Sequence, residues 1–219
     1  SAIALIYGIL LAGAAMLSRR RHPFMTGQEV AEAVDVLIAS RDEGGHLINS
    51  VESLLGQSHG GVITVWMLLG DEQDSSWPLL QQRFSPKSEG EDLWTAAPAG
   101  NRQLRVLMCR TEGKPGKLNR ALPLARAPWL AVLDADHLAN PDWIRNSLSR
   151  LAQQDVVGVQ SRRTPQALPG LVGTWDSWQT HVGNEVINAA LESAHRGVLY
   201  TGSGGVFARR IFDTISFAD

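Results

Sequence analysis

The sequence is short of several things at once. It has one cysteine, Cys109, in 219 residues, so neither an internal disulfide nor a cysteine-rich zinc site can form, and packing alone has to hold the fold. That usage fits a reducing compartment. Charge of one sign is missing too: 20 lysines and arginines stand against 22 aspartates and glutamates, a net charge of -2, which offers no general positive field for tracking a phosphate backbone. With aromatics at an ordinary 6%, the chain does not read as a dedicated nucleic-acid binder, and any phosphate site has to be local. There is no GxxxxGK[ST] loop, and no GxGxxG follows the first interior apolar run, so ATPase and dinucleotide-binding readings lose their main support. Internal repeats and low-complexity tracts are absent. What is present is 44% hydrophobic and 19% charged residues, which suits one globular domain with a full core and excludes a disordered or fibrous chain.

Long uncharged stretches are few, and one opens the chain. Ser1 to Leu17 carries no charge, and Ser18 is followed by Arg19-Arg20-Arg21. A helix of that length rises roughly 25 Å, slightly less than the ~30 Å hydrocarbon core, so residues 1–18 read as part of a membrane-spanning helix whose earlier portion is missing. A buried core helix is the bland alternative, and a signal peptide carries its positive charge before the apolar run rather than after it. By the positive-inside tendency, the arginines put the rest on the cytoplasmic side: a connector over 19–33 and a membrane-anchored catalytic domain over 34–219. The chain also stops abruptly, at Ile211 to Asp219, which reads as a second cut.

Between the ends, apolar runs alternate with helical patterns. Val34 to Ala39 has strand length and β-branched content and opens into the polar loop Ser40 to Gly45. Leu47, Ile48, Val51, Leu54 and Leu55 then recur at three-and-four spacing, a helix face to lay on a sheet. Val62 to Leu69 is a second buried strand, opening into the acidic loop Gly70 to Asp74. Leu104 to Cys109 leads to the basic loop Arg110 to Lys117 and an amphipathic stretch, Leu118 to Ala127. Trp129 to Leu133 runs straight into Asp134-Ala135-Asp136-His137, after which Asn140-Pro141 is placed to start a helix. Residues 84–101 are rich in loop formers and read as a surface excursion. This alternation predicts an α/β fold, a Rossmann-like, mostly parallel sheet flanked by helices, with ligands at the carboxyl ends of the strands.

Asp134 and Asp136 emerge together from a strand, and two neighbouring carboxylates repel unless a cation lies between them. Mg2+ or Mn2+ would take their oxygens together with ligand phosphate oxygens, and His137 would add a nitrogen better suited to manganese. An isolated pair of this kind is also a common turn former or helix cap. Lys114-Pro115-Gly116-Lys117-Leu118-Asn119 supplies two cations beside a helix start, where positive charge suits a phosphate, although lysines in a loop also make an ordinary solvated face. Gly202-Ser203-Gly204-Gly205 permits either a tight turn or close approach of backbone to a ligand. Trp175, Trp178 and His181 lie on a further helical stretch; aromatic faces can stack on sugar rings, yet indoles at that spacing are expected in the core.

The order of these motifs, with Lys-Pro-Gly-Lys-Leu-Asn and Leu133-Asp134-Ala135-Asp136-His137 as the most specific pieces, resembles the family 2 glycosyltransferases of the GT-A fold. The similarity points to the membrane-embedded processive branch that includes cellulose and hyaluronan synthases, and it spans Val34 to Asp213. It implies that Asp134 and Asp136 hold a divalent metal on a nucleoside diphosphate-sugar, with Lys114 near the diphosphate. Ala39, Arg41 and Glu43, in and after the first strand, would border the nucleoside. Asp71 is the nearest match to the family's nucleoside-binding aspartates, with Asp74 competing; Gly70 stands where a paired aspartate is usual, and Arg41 replaces the customary asparagine. Gln160, Gly202 and Ser203 would lie on the acceptor side of the sugar. The implied reaction is metal-dependent inverting transfer to a glycan or lipid acceptor. The family's base, in a Thr-Glu-Asp motif, would come after Asp219, so neither Asp213 nor Asp219 is assigned that role. A non-catalytic nucleotide-sugar binding module and, less favoured by the motif's late position, a phosphotransferase with an aspartate nucleophile are the alternatives.

Overall fold

The computed structural model describes residues 30–111, 113–152, 156–164, 170–193 and 197–217, with isolated helical positions 5, 8, 9, 12, 13 and 16, and without the side chains at 176, 181, 184, 185 and 193. The expected spanning helix over 1–18 therefore falls largely outside the described residues. Among the described residues no helix is long and apolar enough to cross a membrane. The chain divides into two compact units, one of Ser1–Thr26 with Gln160–Thr201, the other of Gly27–Val159 with Gly202–Asp219.

The second unit is built on the sheet. Strands β1 (Val34–Ala39), β2 (Ile63–Leu69), β3 (Lys87–Ser88), β4 (Leu93–Ala99), β5 (Arg102–Met108), β6 (Trp129–Val132), β7 (Gly158–Gln160) and β8 (Gly205–Ala208) lie in the order β3-β4-β5-β2-β1-β6-β8-β7. Helices α1 (Gly45–Leu55), α2 (Trp77–Phe84), α3 (Lys114–Ala121) and α4 (Trp143–Leu151) connect them. The four central strands β5, β2, β1 and β6 are parallel. Every residue of β2 is buried, because helices cover both faces of the sheet and a central strand then has no side left for water. Side chains alternate across the pleat: Val34, Val36 and Ile38 join α1 and α4 in one core, while Leu37, Trp66 and Leu68 join α3 in the other. On α1, Leu47, Val51 and Leu54 are fully buried, each worth roughly 1.5–3 kcal/mol against exposure.

The sheet has the expected parallel centre with antiparallel additions at its sides, since β4 pairs antiparallel with β5 and β8 antiparallel with β6. Three local expectations in this unit are corrected. Residues 84–101 are not a mere excursion but supply β3 and β4, turned back by Gly100-Asn101, where Gly100 takes φ +55. A glycine-led two-residue connection is a hairpin signal, and the twist it imposes suits paired strands. The basic segment is itself helical: α3 begins at Lys114, after Gly113 at φ +75, with Pro115 in the first turn where no N–H is needed, and it ends at Ala121. Asn140-Pro141 forms a turn before α4 rather than its first residues; Asn140 Oδ1 accepts the Asp142 N–H at 3.1 Å and its carbonyl accepts the Trp143 N–H at 2.9 Å.

The first unit contains helix α5 (Gly170–Val182), a π-helical turn (Gly183–Asn188) and α6 (Ala189–Ser193). Trp175 and Trp178 are 63% and 56% exposed, so they are not core residues. Helical spacing puts them on one face, and there the two rings pack on each other at 5.3 Å.

Candidate active site

Where β6 ends, the Leu133 N–H still bonds to the Leu37 carbonyl of β1, and the chain then turns, the His137 N–H reaching back to the Asp134 carbonyl at 3.1 Å. That turn sets Asp134, Asp136 and His137 on one rim. One donor atom from each lies within 4.8 Å of the others. His137 Nδ1 is 3.8 Å from Asp134 Oδ2, and His137 Nε2 is 3.8 Å from Asp136 Oδ1. Asp136 is exposed while Asp134 and His137 are half-buried, so the rim faces solvent with its base anchored. Two carboxylates and an imidazole at this spacing fit a small divalent cation that prefers oxygen and tolerates nitrogen, as Mn2+ does; Mg2+ fits the carboxylates alone.

Lys114, in the first turn of α3, reaches the same rim. Its ammonium pairs with Asp134 Oδ1 and donates to the Gly202 carbonyl at 2.6 Å. Gly202 at φ +88 and Gly204 at φ +71 occupy left-handed backbone that favours glycine, and the Gly204 N–H closes onto the Val132 carbonyl at 2.8 Å. The tight turn and the approach to the site are thus the same feature. Ser203 between them is fully buried, and its hydroxyl accepts the Asp134 N–H and bonds His137 Nδ1, both at 2.9 Å.

A second support comes from α1. Ser50 and Ser53 on the helix, and Gln57 two residues beyond its end, all hydrogen-bond the segment after β6. The fully buried Ser50 hydroxyl lies 2.7 Å from the Ala135 carbonyl and 2.6 Å from that of His137. Ser53 Oγ accepts the Ala139 N–H at 3.0 Å; Gln57 donates to the Asn140 carbonyl at 2.7 Å and accepts the Ile144 N–H at 3.0 Å. None of these three was predicted from sequence. Their signal was a polar row at three-and-four spacing beside the apolar face of α1.

The loops after β1 and β2 are tied to each other. Asp74, 7% exposed, accepts the Asp42 N–H at 3.3 Å and the Ser76 N–H at 2.9 Å, and Ser76 Oγ accepts the Gly44 N–H at 3.0 Å. Asp74 is therefore engaged in shaping the loops, whereas Asp71 is exposed and its carboxylate accepts the Gln73 N–H two residues on. Arg41 is exposed and Ala39 and Glu43 half-buried. Because Leu37 pairs with Val132, continuing the register sets Ala39 level with Asp134. The structure thus gathers Lys114, Asp134, Asp136, His137, Gly202 and Ser203 into one cluster and lines up the β1 loop beside it. Gln160, the last residue of β7, is where the chain passes into the other unit, and its side chain donates to the Ser161 carbonyl at 3.0 Å.

A parallel-centred α/β sheet flanked by helices is a GT-A-like fold, and the likeness in fold to a solved structure agrees. The mannosyltransferase PcManGT from Pyrobaculum calidifontis, solved in complex with GDP-Man and Mn2+, superposes with a TM-score of 0.58 at 18% identity, over 97% of this chain and 57% of that one. Mannosyl-3-phosphoglycerate synthase from Rubrobacter xylanophilus matches at 15% identity with a TM-score of 0.49, over 92% of this chain and 59% of that one. The chain thus spans less than two thirds of the length of either. Residues 31–217 match the family model described as glycosyltransferase like family 2, and the chain belongs to that family. A search of the curated proteins finds no match.

Proposed function

We propose that the chain carries the donor and leaving-group half of a metal-dependent, inverting glycosyltransferase that moves a sugar from a nucleoside diphosphate-sugar to a glycan or lipid acceptor. The convergence of Lys114, Asp134, Asp136 and His137 on one rim carries this reading. Asp134, Asp136 and His137 would hold Mn2+ or Mg2+, which when bound supplies positive charge against the departing diphosphate. The Lys114 ammonium, oriented by the Gly202 carbonyl, donates to the phosphate oxygens and meets the charge that grows as the sugar–phosphate bond breaks. Gly202 keeps the backbone close to the sugar, Ser203 holds the Asp134 amide behind it, and Ala39, Arg41, Glu43 and Asp71 border the nucleoside. Inversion also needs a base on the acceptor hydroxyl, a role assigned to no residue of this chain. Residues 1–18 would anchor the unit at the cytoplasmic face of a membrane, as the likeness to the processive branch implies.

The test is calorimetric titration with a panel of nucleotide-sugars, GDP-mannose among them, with and without Mn2+ or Mg2+. Binding should require the metal, and Asp134→Ala and Asp136→Ala should each weaken it about tenfold or more. Equal affinity in both variants would remove the site.

A further inference from the structure

Helix α3 carries two lysines one turn apart, and the rim uses only the first. Lys117 is 5% exposed. Its ammonium bonds the carbonyl oxygen of Ser40, the residue directly after β1. A Cβ built on Gly70, directly after β2, would lie 3.8 Å from the same nitrogen. The charge therefore sits between the carboxyl ends of β1 and β2, and glycine at 70 puts no side chain in front of it. Among the described residues no carboxylate pairs with Lys117; Asp134 is taken by Lys114. An ammonium has three protons to donate, and among the described residues only the Ser40 carbonyl takes one. A buried cation with most of its hydrogen bonds unmade is costly unless a ligand completes them.

The position says which part of a ligand that is. This step rests on the donor-site reading above. Neighbouring strands are ~4.8 Å apart, and the order is β2-β1-β6, so the gap between β1 and β2 lies about 7 Å sideways from the acidic rim after β6. A nucleoside diphosphate is elongated, its diphosphate at one end and its base at the other. With the diphosphate on Lys114 and the acidic pair, the base extends over β1 and β2. A group that only donates matches an acceptor: at the edge position where uracil and guanine carry a ring carbonyl, adenine carries an amino group, donor against donor, and its own acceptors are ring nitrogens set back from that position. We infer that Lys117 is a specificity-determining residue, selecting nucleotide donors whose base carries a ring carbonyl.

The experiment titrates UDP, GDP, ADP and inorganic pyrophosphate, each with Mn2+, into the native chain and its Lys117→Met and Lys117→Gln variants, with thermal melting of each. The native chain should bind UDP or GDP about tenfold or more tightly than ADP. Lys117→Met should erase that preference while leaving pyrophosphate affinity unchanged, and Lys117→Gln, neutral but still a donor, should restore part of it. Lack of discrimination by the native chain, discrimination surviving in Lys117→Met, or equal loss of pyrophosphate and nucleotide would each overturn the inference. Should Lys117→Met melt without cooperativity, the native preference and Lys117→Gln decide. Pyrophosphate that fails to bind the native chain, or binds Asp134→Ala equally well, sinks the donor-site reading itself and this inference with it.

Discussion

Ser203, fully buried, accepts the Asp134 backbone N–H at 2.9 Å while bonding His137 Nδ1 at the same distance. One hydroxyl thus holds two of the three groups on the acidic rim. Ser203→Ala leaves the Asp134 amide without this partner, a cost of about 1–3 kcal/mol in stability. It should also loosen the rim and weaken Mn2+ binding. Urea unfolding and Mn2+ titration followed by electron paramagnetic resonance check the two effects separately; unchanged Mn2+ affinity would show that Ser203 supports only the fold.

Ser50 makes a parallel case from the opposite side of the loop. Its hydroxyl serves the carbonyls of Ala135 and His137. Ser50→Ala should destabilise by a similar ~1–3 kcal/mol and lower donor affinity with it. Ser53→Ala, which touches the segment further from the acidic rim at Ala139, should cost stability with a smaller effect on donor binding.

Burial raises the Asp35 carboxyl above its ordinary 3.8, partly offset by the Ala127 N–H, the Trp66 indole and the charges of Arg105 and Arg209. Between 3.8 and its higher folded value, the native state keeps a proton that the unfolded chain has released, so the contribution of Asp35 to stability falls as pH rises through that window and is flat above it. The difference in unfolding free energy between the native chain and Asp35→Asn, followed upward from about pH 4, should drift in favour of the variant and then level off.

Burial likewise pushes the Cys109 thiol up to about 11, against the smaller opposing pull of Lys117 and Arg120. At about pH 8 a disulfide reagent should label it slowly in the native chain and rapidly in urea. Above the ordinary value of 9.0 the unfolded thiol ionises first, so stability should decline towards pH 11 more steeply in the native chain than in Cys109→Ala.

The central strands were legible because a strand covered on both faces is a continuous apolar run: Val34 to Ala39 was read to the residue, and β2 to within one. The acidic rim was legible because chain order alone puts Asp134 and Asp136 past the end of β6. The edges were harder. In β4, half-buried and exposed residues replace the apolar run, so Leu93–Ala99 looked like loop, and only the Gly100-Asn101 connection marked a hairpin. The indoles at 175 and 178 misled for the opposite reason, since helical spacing says that they share a face but not whether anything covers it.

By itself, then, the amino-acid order determined the alternating architecture, the strand carrying the carboxylates and the family resemblance, all of which depend on neighbours along the chain. Tertiary structure alone decided that Lys114 meets Asp134 across 20 residues, that Ser203 meets it across 69 and that Ser50 meets Ala135 across 85. The physical reason is that periodicity fixes which side chains share a face, whereas sheet order and crossover geometry choose the element that the face will touch.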